Sequence, residues 1–198
     1  MNVNRQAARS ASTRAKLLKA ARALFARNGY AGVGTEEIVR RAGVTRGALY
    51  HQFATKEDLF AAVYEQVEQD LTRRVVASLS GIESPFAALR AGIRAFLEEC
   101  RAPEVQQIAL IDAPAVLGWE RWRQVAESNG LGLMQAEVAA AIAAGEIVAL
   151  AAEPLAHLLM GALDEGALLV ARDPDATDAV AATFERLLDG LLVAGPPG

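Results

Sequence analysis

Cysteine is nearly absent from this chain. A single thiol, Cys100, among 198 residues excludes an internal disulfide framework and suits a reducing cytoplasm. Histidine is as scarce, with only His51 and His157, and no HExxH, GxSxG, glycine-rich phosphate loop or paired set of metal ligands occurs. These absences argue against an enzyme, and neither a metal nor a cofactor is expected. No apolar run reaches the length of a membrane span, so no membrane is expected as a partner. Residues 1–16, MNVNRQAARSASTRAK, lack the apolar stretch of a signal peptide and read as a polar arm. β-Branched runs are few, and neither an internal repeat nor an evident linker appears.

Alanine, leucine, arginine and glutamate are abundant instead. The chain is 53% hydrophobic, enough for an ample core, and this composition predicts an all-α fold. The breakers divide it into about nine helices. The first runs over 12–28 and closes at Asn28-Gly29. Two short helices follow within 35–53, and a fourth begins after Thr55. Ser84-Pro85 opens a fifth, Ala102-Pro103 a short sixth, and 119–144 carries a seventh that Asn129-Gly130 kinks. Glu153-Pro154 and Asp173-Pro174 open the last two.

The net charge of −4 hides a split. Residues 1–59 hold 11 Lys and Arg against four acids, a net of +7, while residues 60–198 hold nine against 20, a net of −11. A positive first third joined to a negative remainder is the electrostatic footprint of a protein that docks DNA with one end.

The segment 35–53, TEEIVRRAGVTRGALYHQF, carries the sharpest signal. Thr35 is placed to cap a helix whose first turn holds Glu36 and Glu37, and Ile38, Val39 and Ala42 form its apolar stripe. Gly43 ends that helix in a left-handed turn, Val44 plugs the elbow, and Thr45 caps the next helix. Ala48, Leu49 and Phe53 then face inward, leaving Thr45, Arg46, Gly47, Tyr50 and His51 outside. An ordinary helical hairpin would share the turn, but not the apolar elbow with exposed Arg, Tyr and His on so short a helix. This is the layout of a helix-turn-helix whose second helix enters the major groove.

Residues 13–60 resemble the DNA-binding domain of the TetR family of one-component bacterial regulators. The matching residues are Ala20-Ala21, Leu24-Phe25, Gly29-Tyr30, Thr35, Ile38, Ala42-Gly43-Val44, Gly47, Leu49-Tyr50, Phe53, Lys56 and Leu59. Gln52 stands where relatives often carry His, and Thr45 where they often carry Ser. The resemblance implies a DNA-binding domain over 1–59 and a helical regulatory and dimerisation domain over 60–198. It also implies a cytoplasmic homodimer on a palindromic double-stranded operator, released by a small-molecule effector. Most relatives look like repressors. A ligand-independent or architectural DNA-binding protein is the alternative.

Arg46 is then the expected base reader, since its fork matches guanine O6 and N7. Thr45 either reads a base or caps its helix. Tyr50, His51, Thr35 and Lys56 are expected on phosphates, and Gly47 lets the helix approach closely. Arg9 and Arg14 in the arm are further candidates, against a plain solvated tail. Dimerisation is assigned to Leu155, Leu159, Leu163, Phe184, Leu187, Leu188 and Leu191, because the last two helices are apolar over more than one narrow stripe. Burial in the core of one chain is the competing account. The effector site implied by the family draws on Phe96, Cys100, Trp119, Trp122, Met134 and Met160 as apolar lining. Asp112, His157 and Asp164 are its polar candidates, although Asp112 equally suits a helix cap.

Overall fold

Helix-forming residues punctuated by proline and glycine dictate where this chain turns. The computed structural model describes residues 2–193, and no strand occurs among them. The helices are α1 (Asn2–Asn28), α2 (Thr35–Ala42), α3 (Arg46–Gln52), α4 (Lys56–Ser78), α5 (Pro85–Glu99), α6 (Pro103–Val105), α7 (Ala113–Ala126), α8 (Gly132–Ala143), α9 (Ala152–Arg172) and α10 (Thr177–Asp189). Wider π-helical turns, Gln106–Asp112 and Glu127–Leu131, join α6 to α7 and α7 to α8.

Several local expectations hold. Gly29 ends α1 at φ 68°, and Ser84 caps α5 by accepting from Ala87 N at 3.1 Å with Pro85 in the first turn. Thr55 and Asp58 cap α4 reciprocally: Thr55 Oγ1 accepts from Asp58 N at 2.9 Å, and Asp58 Oδ2 accepts from Thr55 N at 3.2 Å. Others are corrected. Residues 2–11 of the expected arm are helical, continuing α1 through an alanine-rich stretch. The kink expected at Asn129-Gly130 is the second π turn, where Asn129 Nδ2 donates to Val125 O at 2.8 Å and Ser128 Oγ to Gln124 O at 2.9 Å. Gly118, at φ 72° and ψ 166°, breaks α7. One helix, α9, is long and apolar enough to cross a membrane by length and composition alone. It carries His157, Asp164 and Glu165, and its Ala156, Leu163, Ala167 and Val170 are buried in a protein core.

Packing divides the described residues into two units. One is discontinuous in sequence and comprises 2–67 with 103–122. Its core gathers Leu17, Ala21, Phe25, Ile38, Leu49, Phe60 and Tyr64 with Ile108 and Ala113. Phe60 meets Phe25 and Tyr30 edge-on, with ring centroids 5.2 and 5.1 Å away. The other comprises 68–102 with 123–193. Its core joins Phe86, Leu89, Ile93 and Leu97 of α5 to Met134 and Val138 of α8, Leu159, Met160 and Leu163 of α9, and Phe184 and Leu188 of α10.

Candidate nucleic-acid interface

The turn between α2 and α3 is set by backbone chemistry. Gly43 takes the left-handed conformation, φ 65° and ψ 38°, which an L side chain adopts only at a cost. Its N–H donates to Arg40 O at 3.3 Å, and Val44 N donates to Val39 O at 3.1 Å, satisfying carbonyls that the end of α2 would orphan. Thr45 caps α3, its hydroxyl accepting from Ala48 N at 3.2 Å. That settles its capping role. Thr35 makes no such cap, because the N-cap position of α2 is Gly34. Leu49 and Phe53 are buried, anchoring α3, while Thr45, Arg46, Gly47, Tyr50 and His51 are all exposed.

These outward residues form a connected polar surface. The Arg46 guanidinium lies 5.6 Å from the centre of the Tyr50 ring, and its Nη1 lies 3.8 Å from Glu36 Oε1. Hydrogen bonds from Thr35, then from Arg46, hold the Tyr50 phenol below its ordinary pKa. A β-carbon at Gly47 would meet no atom of the protein within 4 Å, so intramolecular packing does not require glycine there. Glu36 was missed by sequence reasoning. The signal available was its place beside Thr35, on the helix that α3 packs across.

Other candidates lie elsewhere in the unit. Lys56 donates to the carbonyls of Tyr30 and Val33 at 3.0 and 3.1 Å, and its ammonium sits 3.8 Å from the Tyr30 ring centre. It holds the loop between α1 and α2, and desolvation lowers its pKa. Gln52 donates to Ser10 Oγ at 2.8 Å, and Arg14 stacks 4.4 Å over the Phe53 ring, so both brace α3 against α1. Arg9 is exposed. Asp112 is not a helix cap, since it lies inside a continuous helical run. Its carboxylate accepts from Tyr30 N at 2.7 Å, a partner 82 residues away that no local pattern announces. Arg22 donates to Glu104 at 2.7 and 2.6 Å, and Arg121 reaches Asp58 at 3.4 Å, so three polar ties fasten residues 103–122 to this unit.

The effector candidates divide between the units. Trp119 is 67% exposed and lies 5.2 Å from Trp122, both in the first unit with Asp112. Phe96, Cys100, Met134, His157, Met160 and Asp164 share the second. There Arg123 Nη2 lies 2.6 Å from His157 Nδ1. Burial raises the Asp164 carboxyl to about 6, with Arg123 opposing the shift. Burial also pushes the Cys100 thiol far up, which favours its protonated form.

Four of the seven dimer candidates, Leu159, Leu163, Phe184 and Leu188, are buried in the core of their own unit, and Leu155 and Leu191 pack against it. Only Leu187, at 56%, is exposed. The apolar side chains that α9 turns outward are instead Leu158, 73% exposed, and Leu169, with the small Gly161 and Ala162 between them. The leucine periodicity was genuine, but one stripe faces the core and its neighbour does not.

Comparison with known proteins agrees with this geometry. Residues 17–63 match the family described as bacterial regulatory proteins, tetR family, and residues 86–191 match the tetracyclin repressor-like C-terminal domain. A solved TetR-family transcriptional regulator from Pectobacterium atrosepticum is 35% identical, with a TM-score of 0.82 over 94% of this chain and 97% of that one. The Transposon Tn10 TetC protein of Escherichia coli is 27% identical over 160 residues, 81% of each chain. The regulator FadR from Bacillus subtilis, solved with stearoyl-CoA, is 19% identical with a TM-score of 0.71 over 89% of this chain and 96% of that one, a likeness of fold.

Proposed function

The chain belongs to the TetR family and is a non-enzymatic DNA-binding transcriptional regulator, and on that premise we propose that it is a cytoplasmic homodimeric repressor. Each subunit sets α3 into one half-site of a palindromic double-stranded operator, and a small-molecule effector releases it. The observation that carries this is the exposed surface of α3, where Arg46, Gly47, Tyr50 and His51 stand clear of the core behind a left-handed Gly43 turn. Arg46 is the base reader, and Tyr50, His51 and Thr35 are phosphate contacts. Lys56 acts through the loop it holds, and Thr45 through the cap it makes.

Residues 1–59 form the DNA-reading part and 60–198 the regulatory and dimerising part. The dimer uses the outward stripe of α9, with Leu158, Gly161, Ala162 and Leu169, together with Leu187 of α10. An apolar face left out of its own core gains by burial against a second copy. The effector is mostly apolar with one cationic or hydrogen-bonding handle. Phe96, Met134 and Met160 are its apolar wall, and Asp164 and His157 take the handle. FadR holds stearoyl-CoA on the same fold, so a small molecule has precedent there. For release, the effector must bind more tightly to the conformation that misfits the operator.

Selection from random duplex DNA, followed by affinity measurements on the recovered sequence and on unrelated DNA, tests this reading. It expects a large ratio of specific to non-specific affinity, lowered by the effector. A ratio near one, unmoved by any compound, would instead favour the ligand-independent, architectural alternative.

A further inference from the structure

Glu36 stands where a DNA-binding surface has least use for an acid. Its side chain is 86% exposed in the first turn of α2, and its Oε1 lies 3.8 Å from Nη1 of Arg46, itself 65% exposed. A carboxylate on a surface that meets phosphates lowers affinity for every duplex alike. Favourable alignment with the helix dipole explains an acid in that turn, but Glu37 is already there and half-buried. Nor is Glu36 a clamp, since an exposed pair at this distance is too weak to hold a guanidinium back from a base.

The pair does match the edge of a base pair. In the major groove a guanidinium fork donates to guanine O6 and N7, and a carboxylate accepts from the cytosine N4 amino group. Those groups lie on one G·C pair or on successive pairs, about 3.4 Å apart along a strand. The spacing of 3.8 Å between Arg46 Nη1 and Glu36 Oε1 holds a donor and an acceptor at a comparable separation. Guanine and thymine present the carboxylate with acceptors only, and adenine sets its N7 acceptor beside its amino group. We propose that Glu36 is a specificity-determining residue, accepting from a cytosine amino group beside the guanine that Arg46 reads and disfavouring every site that lacks that cytosine. The proposal rests on Arg46 being a base contact.

The test compares full-length wild type with Glu36→Gln, Glu37→Gln and Arg46→Ala. Each is put through selection from random duplex, then through affinity measurements on the wild-type operator and on unrelated DNA at one salt concentration. Glu36→Gln should lose the cytosine preference at one position per half-site, next to the guanine lost by Arg46→Ala, and should shift toward adenine, which a glutamine amide matches. Its operator-to-unrelated affinity ratio should fall about five- to a hundredfold. Glu37→Gln should leave the sequence profile unchanged. A Glu36→Gln profile identical to wild type, with both affinities raised by the same factor, overturns the proposal, as does an identical shift in Glu37→Gln. In either case a position lost by Arg46→Ala leaves the reading of Arg46 standing. Silence from Arg46→Ala overturns both.

Discussion

The outer faces of α3 and α9 both differ from an ordinary solvated helix surface, and they differ in opposite ways. The α3 face is short, charged and aromatic, with Arg46, Tyr50 and His51 around the bare backbone of Gly47. The α9 face is mostly apolar and small, with Leu158 and Leu169 flanking Gly161 and Ala162 and a single acid, the exposed Glu165, among them. Contacts made by the first should weaken steeply with salt, because they replace counterions on phosphates. Contacts made by the second should be nearly indifferent to salt, because they remove apolar surface from water. On the proposed function the two intermolecular tasks fall on chemically distinct helices, and each should be separable by mutation.

The largest effect is expected on α9. Leu158→Asp should weaken self-association by ~3–5 kcal/mol, since it places an unpaired carboxylate in the contact. The exposed site leaves the subunit folded, so sedimentation should find a helical monomer that no longer holds the operator. An undisturbed dimer would place the contact elsewhere. On α3, Arg46→Ala should cost ~1–3 kcal/mol of operator binding and relax one position per half-site, while the dimer persists.

The inner side of α9 offers a smaller, pH-dependent effect. Burial lifts the Asp164 carboxyl from 3.8 to about 6. The folded state therefore takes up a proton between about pH 6 and pH 4 that the unfolded state does not, and stability falls as pH rises through that window. Asp164→Asn should raise stability by ~2 kcal/mol at pH 7.5 and lose that advantage toward pH 4, as read by denaturant unfolding. The smallest change is at Gly47. Alanine meets no protein atom there, so Gly47→Ala should stabilise the fold by up to ~0.5–1 kcal/mol while weakening DNA binding. A gain in both would show that α3 does not approach DNA at that residue.

The same contrast explains what could be read in advance. Gly43, Thr45, Leu49 and Phe53 were legible because capping and turn chemistry act within four residues, and α3 has only one face to bury. The partners of Asp112 and Lys56 were not, because they lie 82 and 26 residues away and no local pattern marks so distant a hydrogen bond. On α9 and α10 the leucines occupy two adjoining stripes. Periodicity shows that both stripes exist, but only packing against α5 and α8 decides which is core. Leu159, Leu163, Phe184 and Leu188 went inward, and Leu158 stayed out. The effector candidates were least legible, since aromatic and methionine side chains serve a core and a pocket equally well.

The central claim is that two copies of α3 read two half-sites through Arg46. Selection from random duplex DNA by the full-length protein, repeated with Arg46→Ala, tests it most directly. Wild type should recover a palindrome, and the variant should lose one guanine preference at symmetry-related positions in both halves. A single unrepeated site, or a profile that Arg46→Ala leaves intact, would contradict it.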